Sequence, residues 1–187
     1  MGLAFTITLL VWLTAEVVLQ VVQWVRGGRS RTREWRSLGT IIVTAVVAGF
    51  LAGAIRAKLP ALGFTLPYAA YAVILVVAWV GIALRLWSII TLGRYFRAIV
   101  HIQQDHQLVR TGPYRVLRHP SYTGMLLALL AFSVTNANIG AIIVYDACIL
   151  AAVWYRIRIE ERVLLDGLGD EYAQYMGETH RLIPGIW

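Results

Sequence analysis

The feature that most limits what this chain can fold into is the recurrence of long, mostly apolar stretches. They run from Leu3 to Val25, Leu38 to Ile55 and Leu66 to about Leu84, and a fourth from Tyr122 to Tyr155 is broken only at Asn136, Ala137 and Asn138. A helix rises about 1.5 Å per residue, so about 20 such residues cross the roughly 30 Å hydrocarbon core of a bilayer. The first three stretches suit that length, and the third has room to continue past Arg85 to Leu92. The fourth is too long for one crossing. Its polar interruption reads as a tight hairpin between two helices, the first of which, Tyr122 to Thr135, is short for a span. The expected architecture is all-α: a polytopic membrane bundle of about five transmembrane helices, forming one domain over residues 1–187. With 59% hydrophobic and 14% charged residues, a soluble domain of this composition would not stay dissolved.

The net charge of +7 is carried by arginines and a single lysine, Lys58, and these residues lie beside the apolar stretches. Membrane lipid headgroups, not nucleic acid, are the anionic partner this arrangement calls for. In the five-helix layout every basic residue except Arg56 and Lys58 falls on one side, which the positive-inside rule makes the cytosol. The expected orientation is N-terminus outside and C-terminus inside. Arg26, Arg29, Arg31, Arg33 and Arg36 follow the first apolar stretch, so it reads as a retained helix rather than a cleaved leader. Cys148, the only cysteine, can form no internal disulfide.

Polar groups inside apolar stretches are costly and have to find partners. Glu16, Gln20 and Gln23 share one helical face by their spacing, and hydrogen bonding between helices is the simplest use for them. Asp146 calls for the same explanation. Arg85 has two candidate partners, Glu16 and Asp146.

The densest polar sequence is HQLVRTGPYRVLRHPSYTG, from His106 to Gly124, followed after the hairpin by RIRIEERVLLDGLGDEYAQYM, from Arg156 to Met176. A membrane hairpin returns the chain to the side it left, so these two strips are forced onto one face. Taken singly their parts are unremarkable. His-Pro often opens a helix, Glu160-Glu161 is compatible with a solvated turn, Gly112-Pro113 reads as a turn, and a lone arginine beside an apolar run is usually a membrane anchor. Tyr172 and Tyr175 are expected to pack, and Pro184 and Trp187 to seat the tail at the interface. His101 and His106 have no acidic or cysteine companion at metal-ligand spacing, so no metal site is expected.

In combination and in order, H-x-L-V, G-x-Y, R-H-P-x-Y-x-G, R-I-x-x-E-E and G-x-x-Y-x-x-Y resemble the isoprenylcysteine carboxyl methyltransferases and their relatives, over roughly residues 85–187. The resemblance implies a cytosolic linker and C-terminal helix that together form an S-adenosylmethionine site. Carried over residue by residue, it implies that His106, Gln107, Leu108, Val109, Tyr114, His119, Pro120, Ser121, Tyr122 and Glu160 surround that cofactor. It also implies that Arg156 contacts the substrate; the chemistry of the strip adds Arg158 and Glu161 as helpers of unassigned role. The expected activity is methyl transfer to the carboxylate of an isoprenoid- or lipid-like acceptor.

The residue types suit this chemistry on their own terms. A sulfonium cation is stabilised by aromatic faces and carboxylates, which Tyr114, Tyr122 and Glu160 supply. An arginine fork matches a carboxylate bidentately. A carboxylate nucleophile needs no base, whereas a protonated amine acceptor, as in phospholipid N-methylation, would draw on Glu161. The closing RLIPGIW also looks like the tails of sterol-type reductases, which would take NADPH instead. A lipid-binding scaffold or transporter would make the polar cluster a headgroup collar.

Overall fold

The computed structural model describes residues 2–26, 35–93 and 108–185, all of them helix, turn or loop with no strand. The helices are α1 (Gly2–Arg26), α2 (Trp35–Lys58), α3 (Tyr68–Leu92), α4 (Pro120–Val134), α5 (Ile139–Leu168) and α6 (Asp170–Glu178). The first five lie where the apolar stretches place them, and α3 does continue past Arg85 to Leu92. Among the described residues, α1, α3 and α5 are long and apolar enough to cross a membrane, and the chain is an integral membrane protein. α4, at 15 residues, reaches only about 22 Å and needs its neighbours to complete its depth.

One boundary differs from the sequence expectation. The second arm of the hairpin and the charged helix after it are one element, because α5 runs for 30 residues without a break. At about 45 Å it outruns the hydrocarbon core by several turns, which carries Glu160 and Glu161 beyond the apolar slab. Nothing in 139–168 interrupts the helix until Gly169, whose φ of 54° lies in the left-handed region that glycine enters without strain. Its N–H closes the last turn on Leu165, and α6 starts directly with Asp170 and Glu171 in its first turn, where acidic side chains favour a helix start.

Side-chain chemistry fixes both ends of the hairpin. Pro120 opens α4 at a first-turn position whose N–H would find no partner within the helix, so proline's missing donor is no loss. Asn138 caps α5 by accepting from the Ala141 N–H, and its amide donates to the Leu59 carbonyl at 2.9 Å. The Phe64 N–H donates to the Ala137 carbonyl, so the loop after α2 is clasped to the tip of the hairpin. This clasp lies at the opposite end of the bundle from His119, and Arg56 and Lys58 lie at that same far end.

α3 packs on α4, α2 on α5, and α4 on α5. The α3–α4 crossing is a backbone contact: a Cβ added to Gly81 would meet the Gly124 carbonyl oxygen at 2.6 Å, and one added to Gly124 would meet the Gly81 carbonyl oxygen at 2.5 Å. α1 runs parallel to α3. The Phe5 ring sits 6.0 Å from that of Tyr71 near one end, and Glu16 pairs with Arg85 toward the other. Trp12 stacks on Phe132 and lies in a core with Ile82, Met125, Leu126, Ile149, Val153, Ile157 and Leu182. Arg85 therefore takes Glu16, not Asp146, as its partner. The side chains of Gln20 and Gln23 fall outside those described.

Candidate active site

The two polar strips meet. The Tyr122 hydroxyl, in the first turn of α4, donates to Glu160 Oε2 at 2.8 Å and accepts from Arg156 Nε at 3.0 Å. Arg156 Nε and Glu160 Oε2 are 3.9 Å apart across one helical turn of α5. Arg156 is only 3% exposed, at the level where α5 leaves its apolar run, whereas Glu160 keeps a quarter of its side chain open. A cation, a phenol and a carboxylate are thus held as a short chain linking α4 to α5.

Beside it lies a second cluster. His119, buried at the N-terminus of α4, places Nε2 within 3.3 Å of Glu161 Oε1 and Nδ1 3.9 Å from Glu160 Oε1. Glu161 is buried and also accepts from Arg118 Nε at 3.1 Å and from the Arg181 guanidinium at 3.0 and 2.7 Å. Both carboxylates of the twin-glutamate motif are therefore used. Glu160 faces Tyr122 and Arg156, and Glu161 binds the basic residues beneath them.

The segment after α6 is strapped over this cluster by its backbone. The Arg118 and His119 N–H groups donate to the carbonyls of His180 and Arg181, and the His180 N–H donates back to Val116. The Arg118 guanidinium donates to the carbonyls of Met176 and Thr179, and the Thr123 hydroxyl donates to that of Leu182. α6 is held from below by Tyr175, whose buried hydroxyl donates to the carbonyls of Tyr114 and Leu117 at 2.7 and 3.3 Å. Burial pushes the Tyr175 phenol up to about 12, against the lowering influence of Arg118 and Arg110. Burial also raises the Tyr114 phenol, and the nearby Glu160 charge adds to the effect.

Of the residues singled out by sequence, Tyr114, His119, Pro120, Ser121, Tyr122, Arg156, Glu160 and Glu161 gather on this face, with Leu108 and Val109 partly buried at the start of the described linker. His106 and Gln107 lie outside the described residues, as do His101 and Trp187. The sequence reading assigned no site part to Arg118, Arg181 and Tyr175. Arg118 looked like an ordinary membrane anchor, and nothing in the spacing linked Arg181 to a glutamate 20 residues earlier. Tyr175 packs as expected, with a hydrogen-bonding part that its spacing did not reveal.

Comparison with known proteins identifies the family. Residues 72–166, a little more than half the chain, match the model of the isoprenylcysteine carboxyl methyltransferase (ICMT) family. A probable protein-S-isoprenylcysteine O-methyltransferase of Oryza sativa subsp. indica is 30% identical over 114 residues, 60% of each chain. Protein-S-isoprenylcysteine O-methyltransferase B of Arabidopsis thaliana is 33% identical over 108 residues, 57% of this chain and 55% of that one. The solved structure of a eukaryotic intramembrane Ras methyltransferase, ICMT, superposes with a TM-score of 0.61 at 30% identity, covering 78% of this chain and 52% of that one. The chain spans no more than 60% of the length of any of these relatives. The match begins within α3 and ends on α5 just past the twin glutamates, so it covers Arg118, His119, Tyr122, Arg156, Glu160 and Glu161 but not Arg181. The chain belongs to the isoprenylcysteine carboxyl methyltransferase family.

Proposed function

We propose that this protein transfers the methyl group of S-adenosylmethionine to the carboxylate of an isoprenoid- or lipid-linked acceptor, at the cytosolic face of the membrane. The observation that carries the reading is the Arg156–Tyr122–Glu160 chain of hydrogen bonds, which puts a buried cation beside a partly open carboxylate where α5 emerges from the apolar slab. The concentration of arginines at this end, with Arg56 and Lys58 at the other, supports a cytosolic site and an N-terminus on the opposite side.

When bound, S-adenosylmethionine supplies an electrophilic methyl group on a sulfonium centre. The residues present fit it. Tyr114 and Tyr122 bring aromatic faces and Glu160 an accessible carboxylate to one place, which is the inventory a sulfonium cation requires. His119, Ser121 and Pro120 line the start of α4, and Leu108 and Val109 add apolar surface. Arg156 holds the acceptor carboxylate, for which a guanidinium is the natural match. Such a nucleophile needs no proton removed, so orientation and exclusion of water carry the rate. Glu161, with Arg118, Arg181 and His119 on its oxygens, acts as a positioning residue for His119.

The test is transfer of radiolabel from S-adenosylmethionine to a farnesylated cysteine analogue by the purified protein in lipid nanodiscs, followed by mild base. Label released by base as a volatile alcohol is the expected result for an ester. Base-stable label would mean an amine or thiol acceptor, and the absence both of transfer and of calorimetric S-adenosylmethionine binding would overturn the reading.

A further inference from the structure

Inside the apolar part of the bundle, α1 contributes one acid and α3 one base, and they are paired. Arg85 donates to both oxygens of Glu16, through Nε and through Nη2, the latter at 2.7 Å. The Trp12 indole N–H donates to the same carboxylate at 3.0 Å. Both charged side chains are nearly buried, at 11% and 15% exposure. A pair of this kind is a poor way to gain stability alone, since replacing it with neutral side chains of similar volume is often neutral or favourable.

The guanidinium has a third use. Its Nη1 donates to the Ser121 hydroxyl at 3.0 Å and to the Ser121 carbonyl at 3.4 Å. Ser121 lies between His119 and Tyr122 in the opening turn of α4, and at Gly124, one turn on, the backbone of α4 runs against that of Arg85 itself. The Arg85 charge is also felt at Tyr114. A carboxylate on α1 thus orients a guanidinium on α3, which holds the turn of α4 that presents His119, Ser121 and Tyr122.

We infer that Arg85, oriented by Glu16, is a positioning residue for the methyl-donor site, and that α1 is thereby part of the active-site scaffold through the Glu16–Arg85 pair. The inference rests on the methyltransferase reading for what the turn binds, but not for the link itself. Fixing the turn lowers the cost of ordering it when donor binds, which appears as affinity for the donor.

The decisive variant is Glu16→Gln/Arg85→Met, which removes both charges together, leaves an acceptor for Trp12 and deletes the contact with Ser121. Ser121→Ala is the milder companion, removing one acceptor without touching the ion pair. Amide hydrogen exchange, read without any cofactor, reports the turn directly through Tyr122 and Thr123, whose N–H groups donate to the His119 carbonyl at 3.0 and 3.1 Å. The double variant is expected to exchange about tenfold faster there and Ser121→Ala about threefold faster, with the middle of α4 and the unfolding temperature in detergent unchanged. The KM for S-adenosylmethionine should rise about tenfold in the double variant, while kcat changes less than about threefold. Unchanged exchange at these two amides in both variants would overturn the inference, as would a lower unfolding temperature with unaltered donor KM. Failure of the parent protein to bind S-adenosylmethionine would instead overturn the methyltransferase reading, while the exchange data would still judge the link.

Discussion

His119 Nε2 lies 3.3 Å from Glu161 Oε1, and that same oxygen accepts from Arg118 and Arg181, so one buried carboxylate ties the start of α4 to α5 and to the strap after α6. Three cationic or potentially cationic side chains depend on a single anion. The geometry of His119 is therefore set by residues that come from opposite ends of the sequence strip.

Neutralising that anion should be costly. Glu161→Gln leaves Arg118 buried without its counter-charge, and the expected loss is about 3 kcal/mol of stability, by the usual cost of breaking a buried pair from one side. Thermal unfolding in detergent measures it. Limited proteolysis should find the segment from Met176 to Leu182 cut first, because its carbonyls are held by Arg118.

Arg156→Lys tests the anchor. The lysine keeps the charge but loses the planar fork that donates to Tyr122 and matches a carboxylate, so kcat/KM for the acceptor should fall about a hundredfold. Calorimetric binding of S-adenosylmethionine should change little. An equal loss of donor binding would instead make Arg156 part of the donor site.

The α3–α4 crossing tolerates no side chain. A methyl group at Gly81 or Gly124 meets backbone that can yield only by separating the helices. Gly81→Ala and Gly124→Ala should each cost about 2 kcal/mol or more and lower the yield of folded protein, as read by size-exclusion profile and unfolding temperature.

Alkaline pH should loosen α6. The Tyr175 phenol is raised in the fold from its ordinary 10 to about 12, so its contribution to stability is complete below about pH 10 and is lost as pH climbs toward 12. Phenolate absorbance should appear together with release of α6, and Tyr175→Phe should remove that component while losing the hydrogen bonds to Tyr114 and Leu117 at every pH.

Much of this was legible in the order of residues. Apolar length placed α1 to α5, and the hairpin at Asn136–Asn138 forced the His119 and Glu160 strips together, as the 2.8 Å Tyr122–Glu160 bond shows. The unbroken run of α5 was not legible, since the change from apolar to charged at Arg156 looks like a boundary, yet no residue there stops a helix. The choice of Glu16 over Asp146 as the partner of Arg85 depended on α1 running parallel to α3, which is a matter of packing. Arg118 and Arg181 were hidden because arginines near a membrane surface are common, and only the fold distinguishes those that grip a buried glutamate.

The continuous helix from Ile139 to Leu168 works as a ruler laid across the bilayer. Its zero mark is Asn138, clamped to the loop on the far side, and Arg156 stands about 18 residues, or roughly 27 Å, along the scale. On the proposed reading, an acceptor's head group would be met at a depth measured from the opposite leaflet. Bilayer thickness should then decide which lipid tails reach the guanidinium comfortably, leaving the bond-making step itself untouched.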